Sequence, residues 1–452
     1  MENYQISGII KMPESLTINQ STVIQYENSL QFADKMDAAD PLKDFRNRFY
    51  FPQLNGSDVI YMTGNSLGLQ PKSTQDYVLR ELEDWATFGV EGHFHARMPW
   101  FRYQDFLTDQ LASLLGAKPV EVVSMNSLTA NLHLLLVSFY RPDKNRYKII
   151  CEYDAFPSDL YALQSQVSYH GFNPEEAIIA LRPRKGEFTI REEDVLSEIE
   201  KHKDSLATVM LGAVNYYTGQ YFNLKKITNA AHSAGATVGF NLAHAAGNVM
   251  MKLHEWDVDY ACFCSYKYLN AGPGSVSGIF VHEKFADDKT IPRFAGWWGN
   301  DPETRFTMPR EFVPARGARS WQLSNAPVLS MAALKASLDI FSEAGLSNLS
   351  EKSVLLTGFL EYILNDINNR YTDKGNEAPL RIITPSESGQ RGCQLSIIIA
   401  KDGKGIHRKL TDSGVIADWR EPDVLRAAPV PLYNSFHDVF QLGKILEESL
   451  PA

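Results

Sequence analysis

The chain of 452 residues has few cysteines, no long apolar run and no excess of positive charge, and each shortage excludes a class of protein. Four cysteines are too few for a disulfide framework at this length, so we expect a reducing, cytoplasmic environment. No segment approaches the roughly 18 consecutive apolar residues of a membrane span. Lysine plus arginine number 44 against 54 aspartate plus glutamate, and the net charge of −10 disfavours nucleic-acid binding.

The amino-acid composition is typical of a globular protein, with 44% hydrophobic and 22% charged residues. At about 150 residues per domain, the length predicts two or three compact units. We find no fixed-period repeat that would indicate a solenoid or propeller. The composition therefore favours a soluble protein with a small-molecule ligand and with neither a nucleic-acid nor a membrane partner.

An alternation of strands and helices begins near Glu121. Short β-rich runs alternate with helical periodicity in the segments EVVSM, TANLHLLLVSFY, YKIICE, ATVMLGAV, ATVGFN and YACFC. This alternation is typical of an α/β domain whose mostly parallel sheet is covered on both faces. Ligands of such sheets bind beyond the carboxyl ends of the strands, so the residues just after each β-rich run are the best candidates for function.

A smaller α+β domain is predicted at the C-terminus. A long amphipathic stretch after Pro327 ends at Gly345, and a second helix is predicted from Glu351. Strand-like LRIIT and QLSIIIA follow, then a helix near His407 and a strand near Leu425. The predicted domains are an N-terminal arm (1–60) that packs on the small domain, a large domain (61–330) and the small C-terminal domain (331–452).

Lys267 is the first candidate for chemistry. It follows the apolar run YACFC and precedes the turn Ala271-Gly272-Pro273-Gly274, where backbone can pass close to a ligand. Partial burial disfavours the ammonium form, and a neutral lysine amine forms Schiff bases with carbonyl compounds or with pyridoxal phosphate. Read alone, the segment is equally compatible with a lysine that merely ends a strand.

Two neighbouring segments strengthen this hypothesis. Asn241, followed by His244, ends the run ATVGFN, and its distance of 26 residues from Lys267 is one strand–helix–strand step. A strand also passes into a helix at Ser127, Leu128 and Thr129, where free N–H groups and the helix dipole can bind phosphate, although such residues are more often plain N-caps.

Other features have structural explanations. The pair His93 and His95 has the spacing that places both side chains on one face of a strand, but no third ligand is grouped with them, and we expect no metal site. The pair Cys262 and Cys264 is more typical of buried core thiols than of a redox pair.

The chain resembles the kynureninases, which are pyridoxal-phosphate enzymes of the aspartate-aminotransferase fold type, fold type I. The most specific segments are SYKYLNAGPG and GNSLGLQP, and WATFGVEGHF, FPSDLYA, NYYTGQYFN, LAHAAGN, GWWGN, SNAPVL and LRAAPVPLYNS also match. The resemblance implies pyridoxal 5'-phosphate as cofactor and a homodimer with shared active sites. It also implies hydrolysis of L-kynurenine or 3-hydroxy-L-kynurenine to L-alanine and anthranilate or 3-hydroxyanthranilate.

The resemblance also implies a role for each matching residue. Lys267 would hold the cofactor as a Schiff base and move protons, and Tyr266 would reach the phosphate and act as a proton donor. The other expected cofactor-binding residues are Leu128 and Thr129 at the phosphate, Phe156 on the ring, Asp159, Asn241, His244, and Trp297 and Asn325 from the partner subunit. The expected substrate-binding residues are Arg426 at the carboxylate and Ser66, His93 and Asn325 around the aryl group.

One position departs from the family pattern. The resemblance implies an aspartate where this chain has Asn241. An anion there keeps the pyridine nitrogen protonated, and a neutral amide does so less well, so turnover is expected to be weaker unless Asp159 compensates. The alternatives are therefore a cofactor-binding homologue with impaired turnover, or another fold type I enzyme such as an aminotransferase or desulfurase.

Overall fold

The computed structural model describes residues 24–451, which form two compact units. The first unit comprises residues 24–66, Tyr217–Gln220 and residues 347–451, and the second comprises Leu67–Tyr216 and Tyr221–Leu346. The boundary therefore lies after residue 346 rather than at the expected 330, because the helix Val328–Ala344 packs against the helix Thr74–Phe88 of the second unit. Residues 1–23 of the expected arm lie outside the described residues.

The secondary structure is given in chain order for the described residues. The α-helices are α1 (Leu30–Ala39), α2 (Thr74–Phe88), α3 (Gly92–His95), α4 (Asp105–Leu115), α5 (Leu128–Phe139), α6 (Pro157–Tyr169), α7 (Pro174–Ala177), α8 (Glu192–Lys201), α9 (Leu224–Ser233), α10 (Val328–Ala344), α11 (Leu346–Thr372), α12 (Gly403–Asp412) and α13 (Phe436–Ser449). The strands are β1 (Gln53–Leu54), β2 (Ser57–Asp58), β3 (Ile60–Tyr61), β4 (Val122–Ser124), β5 (Lys148–Glu152), β6 (Ile178–Leu181), β7 (Leu206–Gly212), β8 (Thr237–Asn241), β9 (Tyr260–Phe263), β10 (Gly278–Val281), β11 (Leu380–Ile382), β12 (Leu395–Ile399), β13 (Val415–Ile416), β14 (Asp418–Arg420) and β15 (Val424–Ala427). Among these helices, none has the length and apolarity needed to cross a membrane.

The second unit is built on a seven-stranded sheet in the order β4-β10-β9-β8-β7-β5-β6. Strand β10 is antiparallel to both of its neighbours, β4 and β9, and the other four strand pairs of this sheet are parallel, so the predicted mostly parallel α/β architecture is confirmed. Every residue of β9 and β10 is buried, as expected for strands covered on both faces. Strands β8 and β9 are adjacent, and Asn241 pairs with Cys262, so the polar residues that follow these strands share one edge of the sheet.

The first unit contains a four-stranded antiparallel sheet in the order β11-β12-β15-β14. Buried apolar residues of α11, among them Phe359, Ile363 and Ile367, form one core with residues of the sheet and of α13. The predicted second helix exists, but α11 begins at Leu346 rather than at Glu351. Helix α1 packs on α13, and the Asp37 carboxylate accepts hydrogen bonds from the first N–H groups of α13, so the described part of the arm belongs to this unit.

Candidate active site

A cavity in the second unit lies at the carboxyl ends of β5, β7 and β8 and at the start of α5. This is the sheet edge at which an α/β domain is expected to bind its ligand. Eight of the residues expected to bind the cofactor line this cavity together, namely Leu128, Thr129, Phe156, Asp159, Asn241, His244, Tyr266 and Lys267.

Lys267 lies in this cavity with its amine beside an imidazole. Its Nζ is 3.0 Å from Nε2 of His244 and 5.8 Å from the ring centroid of Phe156. The residue follows the end of β9 by four positions, in a turn held by a hydrogen bond of 2.9 Å from the Gly68 N–H to the Tyr266 carbonyl. A Cβ on Gly68 would lie 2.3 Å from the Lys267 carbonyl oxygen, so a larger residue at position 68 would displace this turn.

The start of α5 forms the anion-binding side of the cavity. Ser127 is the N-cap in an extended conformation, and its hydroxyl makes no cap hydrogen bond among the described residues. Ser127, Leu128 and Thr129 all line the cavity. The first turn of a helix has N–H groups without intrahelical acceptors and the positive end of the helix dipole, so this edge suits a phosphate group.

Asn241 and Asp159 form a buried pair in the cavity. The Asn241 side-chain N–H donates to Asp159 Oδ2 at 2.5 Å, and its Oδ1 accepts the Ala243 N–H at 2.8 Å. These two bonds fix the orientation of the amide. Burial raises the pKa of Asp159 to about 6, although the Asn241 hydrogen bond and the charge of Lys267 act in the opposite direction. At neutral pH the negative charge of this pair therefore resides on Asp159.

The phenol of Tyr266 remains protonated in this environment. Burial raises the pKa of Tyr266 to about 12, and the neighbouring Cys264 acts in the same direction. A protonated phenol next to Lys267 can donate a proton to a reacting oxygen. The four cysteines are all buried, and burial raises the pKa of the Cys151, Cys262 and Cys264 thiols, so these three are unreactive core residues.

Glu152 and Tyr216 line the cavity and were not among the site residues predicted from the sequence. Glu152 ends β5, and both of its carboxyl oxygens accept the Gly212 N–H, at 3.0 and 3.1 Å. Tyr216 packs edge-on against Phe156, with ring centroids 5.3 Å apart. The position of Glu152 directly at the end of the run YKIICE was the available signal, because residues there are expected to face the ligand.

Three residues of the second unit that were expected to bind cofactor or substrate do not line this cavity. Trp297 is 44% exposed and donates its indole N–H to the Arg305 carbonyl at 3.4 Å. Asn325 is exposed and lines a second cavity, together with Ser127 and Gly274. His93 packs edge-on against Trp100 at 5.6 Å.

His93 and His95 lie in the short helix α3 and not on a strand. Residues two positions apart on a helix are rotated by about 200° around its axis, so the two imidazoles do not share a face. A four-residue helix has no periodicity that a sequence pattern could reveal.

The remaining expected substrate residues belong to the first unit. Arg426 lies on β15 and is completely buried, and its Nε donates to Asp418 Oδ2 at 2.7 Å. Its guanidinium therefore has a fixed position rather than that of a solvated surface arginine. Ser66 is half-buried, and its N–H donates to the Thr63 carbonyl at 2.9 Å.

One group of described residues has metal-ligand side chains, namely Glu121, His254 and His282. The two imidazole rings stack at 4.9 Å with an interplanar angle of 14°. Imidazole lone pairs lie in the ring plane, so nearly parallel stacked rings do not direct them at one ion. Glu121 Oε1 instead contacts His254 Nδ1 at 2.9 Å and accepts the Glu283 N–H at 2.8 Å. This is a hydrogen-bonded cluster.

Solved structures of other proteins have a similar fold. A mutant of C-DES, with glycine covalently linked to its PLP cofactor, has a TM-score of 0.72 at 15% identity over 86% of this chain and 97% of that chain. The cysteine desulfurase CsdA of Escherichia coli has a TM-score of 0.71 at 17% identity over 90% of this chain and 98% of that chain. At these identities the similarity establishes the fold, which is fold type I as predicted.

Sequence comparisons identify the family. The model of the kynureninase C-terminal domain matches residues 349–446, and the model of class-V aminotransferases matches residues 60–386. The kynureninase of Flavobacterium psychrophilum is 52% identical over 94% of this chain and 99% of that protein. The kynureninase of Nematostella vectensis is 46% identical over 92% of this chain and 93% of that protein. The chain therefore belongs to the kynureninase family.

Proposed function

We propose that the chain is a pyridoxal-phosphate enzyme that hydrolyses the Cβ–Cγ bond of L-kynurenine and 3-hydroxy-L-kynurenine. The products are L-alanine with anthranilate or 3-hydroxyanthranilate, in tryptophan degradation and NAD biosynthesis. The observation that carries this proposal is the Lys267 amine, which lies 3.0 Å from His244 in a cavity at the sheet edge of a chain that is 52% identical to a kynureninase.

The cavity fits the cofactor by the chemistry of its groups. Lys267 would hold the aldehyde carbon as a Schiff base, the start of α5 would bind the phosphate, and Phe156 would stack on the ring. Asp159 would provide the negative charge at the ring nitrogen. When bound, the cofactor supplies an electron sink for the substrate carbons.

The side chains would then carry the proton transfers. The Lys267 amine would remove the proton from the substrate Cα and would return protons to the carbon framework. The adjacent Nε2 of His244 positions this amine at 3.0 Å. Water adds to the γ-carbonyl, and the protonated phenol of Tyr266 exchanges a proton with the oxygen of that hydrate.

Substrate recognition is assigned to four further residues. Arg426 would bind the substrate carboxylate, because a planar guanidinium can form two parallel hydrogen bonds to it. Its contact with Asp418 orients the group before substrate binds. Ser66, His93 and Asn325 would surround the aryl group.

The active form would be a cytoplasmic homodimer with shared active sites. Trp297 and Asn325 are exposed, which suits side chains that reach the cofactor site of the other subunit. Phe306 and Phe101, whose rings lie 5.3 Å apart, extend the aromatic surface around Trp297.

The two alternative functions have less support. A desulfurase requires a reactive cysteine at the cofactor, and all four cysteines here are buried. Impaired turnover rests on Asn241 alone, and the hydrogen bond from Asn241 to Asp159 keeps a carboxylate in the same cavity.

Product analysis tests the proposal directly. The purified protein, saturated with pyridoxal phosphate, is incubated separately with L-kynurenine and 3-hydroxy-L-kynurenine, and alanine and the aryl acids are quantified. We expect equal amounts of alanine and aryl acid from at least one substrate. An enzyme that binds the cofactor but forms neither product would favour the homologue with impaired turnover, and formation of a keto acid would indicate an aminotransferase.

A further inference from the structure

Glu152 is a carboxyl group of the cavity that the proposed reaction does not use. It is only 4% exposed, and it ends β5 at the sheet edge where Lys267 lies. Both carboxyl oxygens accept the N–H of Gly212, the last residue of β7, at 3.0 and 3.1 Å. A Cβ on residue 212 would lie 3.0 Å from Glu152 Oε1, so a glycine at this position avoids a close contact with the carboxyl group.

The charges around Glu152 do not stabilise its ionised form. The neighbouring acid is Asp159, on α6, and its negative charge repels a carboxylate at position 152. The positive charge of Lys267 favours the ionised form of Asp159. On the strand of Glu152 the neighbour is the buried thiol of Cys151, which is also an acid. The hydrogen bond that Glu152 accepts from Gly212 comes from a backbone N–H, which carries no net charge.

Glu152 and Asp159 are both buried and line the same cavity, so the negative charge of either one disfavours ionisation of the other. Burying a carboxylate without a neighbouring cation is unfavourable, so the protonated form of the acid is favoured. Asp159 has the Asn241 amide and the field of Lys267 to stabilise its charge, whereas Glu152 has neither. Burial accordingly raises the pKa of Glu152 to about 8 and that of Asp159 to about 6.

We propose that Glu152 is a positioning residue that keeps its proton at neutral pH and so confines the negative charge of the cavity to Asp159. Its role toward the ring nitrogen rests on the proposed function, whereas its protonation does not. Confining the negative charge to Asp159 is important in this chain because Asn241 is neutral and supplies no charge to the ring nitrogen.

Thermal unfolding as a function of pH tests the protonation. Unfolded Glu152 ionises near its ordinary value of 4.5, whereas the folded group holds its proton to about pH 8. Between these values the wild-type protein loses stability as pH rises, because the unfolded state releases a proton that the folded state retains. The melting temperature of Glu152→Gln minus that of the wild type should therefore increase from pH 5 to pH 8 and then level off.

The controls separate this effect from a structural one. Glu377→Gln, at an exposed loop position, should show a difference that does not change with pH. A pH-independent loss of stability in Glu152→Gln would overturn the proposal, because it would mean that an ionised Glu152 binds Gly212.

If the variant does not fold, infrared spectra of the wild-type holoenzyme decide the question. They should show the carbonyl stretch of a protonated acid at pH 7, and this band should disappear on titration to pH 9.

The effect on Asp159 is tested through the cofactor absorbance. A neutral Glu152 does not repel Asp159, so the acid-side midpoint of the absorbance titration should be the same in the wild type and in Glu152→Gln. A lower midpoint in the variant would contradict the confinement of charge. Failure to form either aryl acid from its substrate would refute the proposed function and would leave the unfolding result unaffected.

Discussion

The first residue on which the proposed chemistry depends is Lys267. Its replacement by alanine should abolish the covalent attachment of the cofactor and lower kcat by at least about 10²- to 10⁴-fold, because both the Schiff base and the proton transfers are lost. Borohydride reduction of the holoenzyme followed by peptide mapping checks the assignment, and the reduced cofactor should be found on Lys267. The matched control is Lys226→Ala, on an exposed lysine that pairs with Glu192. Label on any other residue would contradict the prediction.

The second residue-scale prediction concerns Asn241. Asn241→Asp should raise kcat by roughly tenfold with a smaller change in KM, because a charged partner strengthens the hydrogen bond at the ring nitrogen by about 1–2 kcal/mol. Steady-state kinetics of the two proteins measures both constants. Asn229→Asp, at an exposed position of α9, is the control for the added charge. Equal turnover of wild type and variant would mean that Asp159 already fulfils this function.

A further consequence of the same substitution appears without cofactor. The Asn241 amide lies 2.5 Å from the Asp159 carboxylate, and two carboxylates at that distance do not both ionise. The apoprotein of Asn241→Asp should therefore retain a proton on this pair above the pKa of about 6 that Asp159 has now. Its stability relative to the wild type should fall as pH rises through this range, as pH-dependent unfolding would show.

At the residue scale, the sequence predicted which residues belong to the site better than it predicted how those residues are buried and paired. Lys267, Asn241 and the start of α5 were found because they follow recognisable β-rich runs, and the structure brings them to one cavity. Glu152 was overlooked because its importance lies in its burial beside a second acid, and burial depends on the tertiary packing of β5 and β7.

At the scale of elements, the end of α4 gives a test of backbone geometry. Gly116 has a φ of 59°, and a Cβ there would lie 2.1 Å from the Met251 carbonyl oxygen. Gly116→Ala should therefore destabilise the protein by more than the roughly 1–2 kcal/mol of left-handed strain alone. Gly171→Ala is the matched control, because it has a φ of 81° and no atom within 4 Å of the added Cβ. Similar urea midpoints for the two variants would contradict the steric part of this prediction.

Most strands of the large sheet were predictable from the sequence. Strands β4, β5, β7, β8 and β9 were read from apolar runs, which result from coverage on both faces, whereas β6 and β10 were not predicted. The helix α3 was missed, and the start of α11 was placed five residues too late, because helix ends depend on local contacts more than on periodicity. The helix α10 has the expected amphipathic pattern, but the pattern does not tell which unit it packs against.

At the scale of the whole molecule, shared active sites predict complementation between inactive variants. A chain with Lys267→Ala and a chain with Trp297→Ala should each be inactive as homodimers. A hybrid dimer contains one site with both wild-type residues, so co-expression should restore roughly one quarter of wild-type activity if the chains pair at random. Co-expression of Lys267→Ala with itself, under a second tag, is the control. No recovery in confirmed hybrids would place Trp297 at the cofactor of its own chain.

The first unit is assembled from segments that lie far apart in the chain, and this has a consequence for biosynthesis. Strand β3 pairs in parallel with β13, so residues 60–61 obtain their partner only when residues 415–416 exist. The ribosome releases all of residues 67–346, with only the short insertion 217–220, before that partner is made. The nascent chain can therefore complete its larger sheet during translation, whereas residues 60–61 can pair only after residues 415–416 have been synthesised.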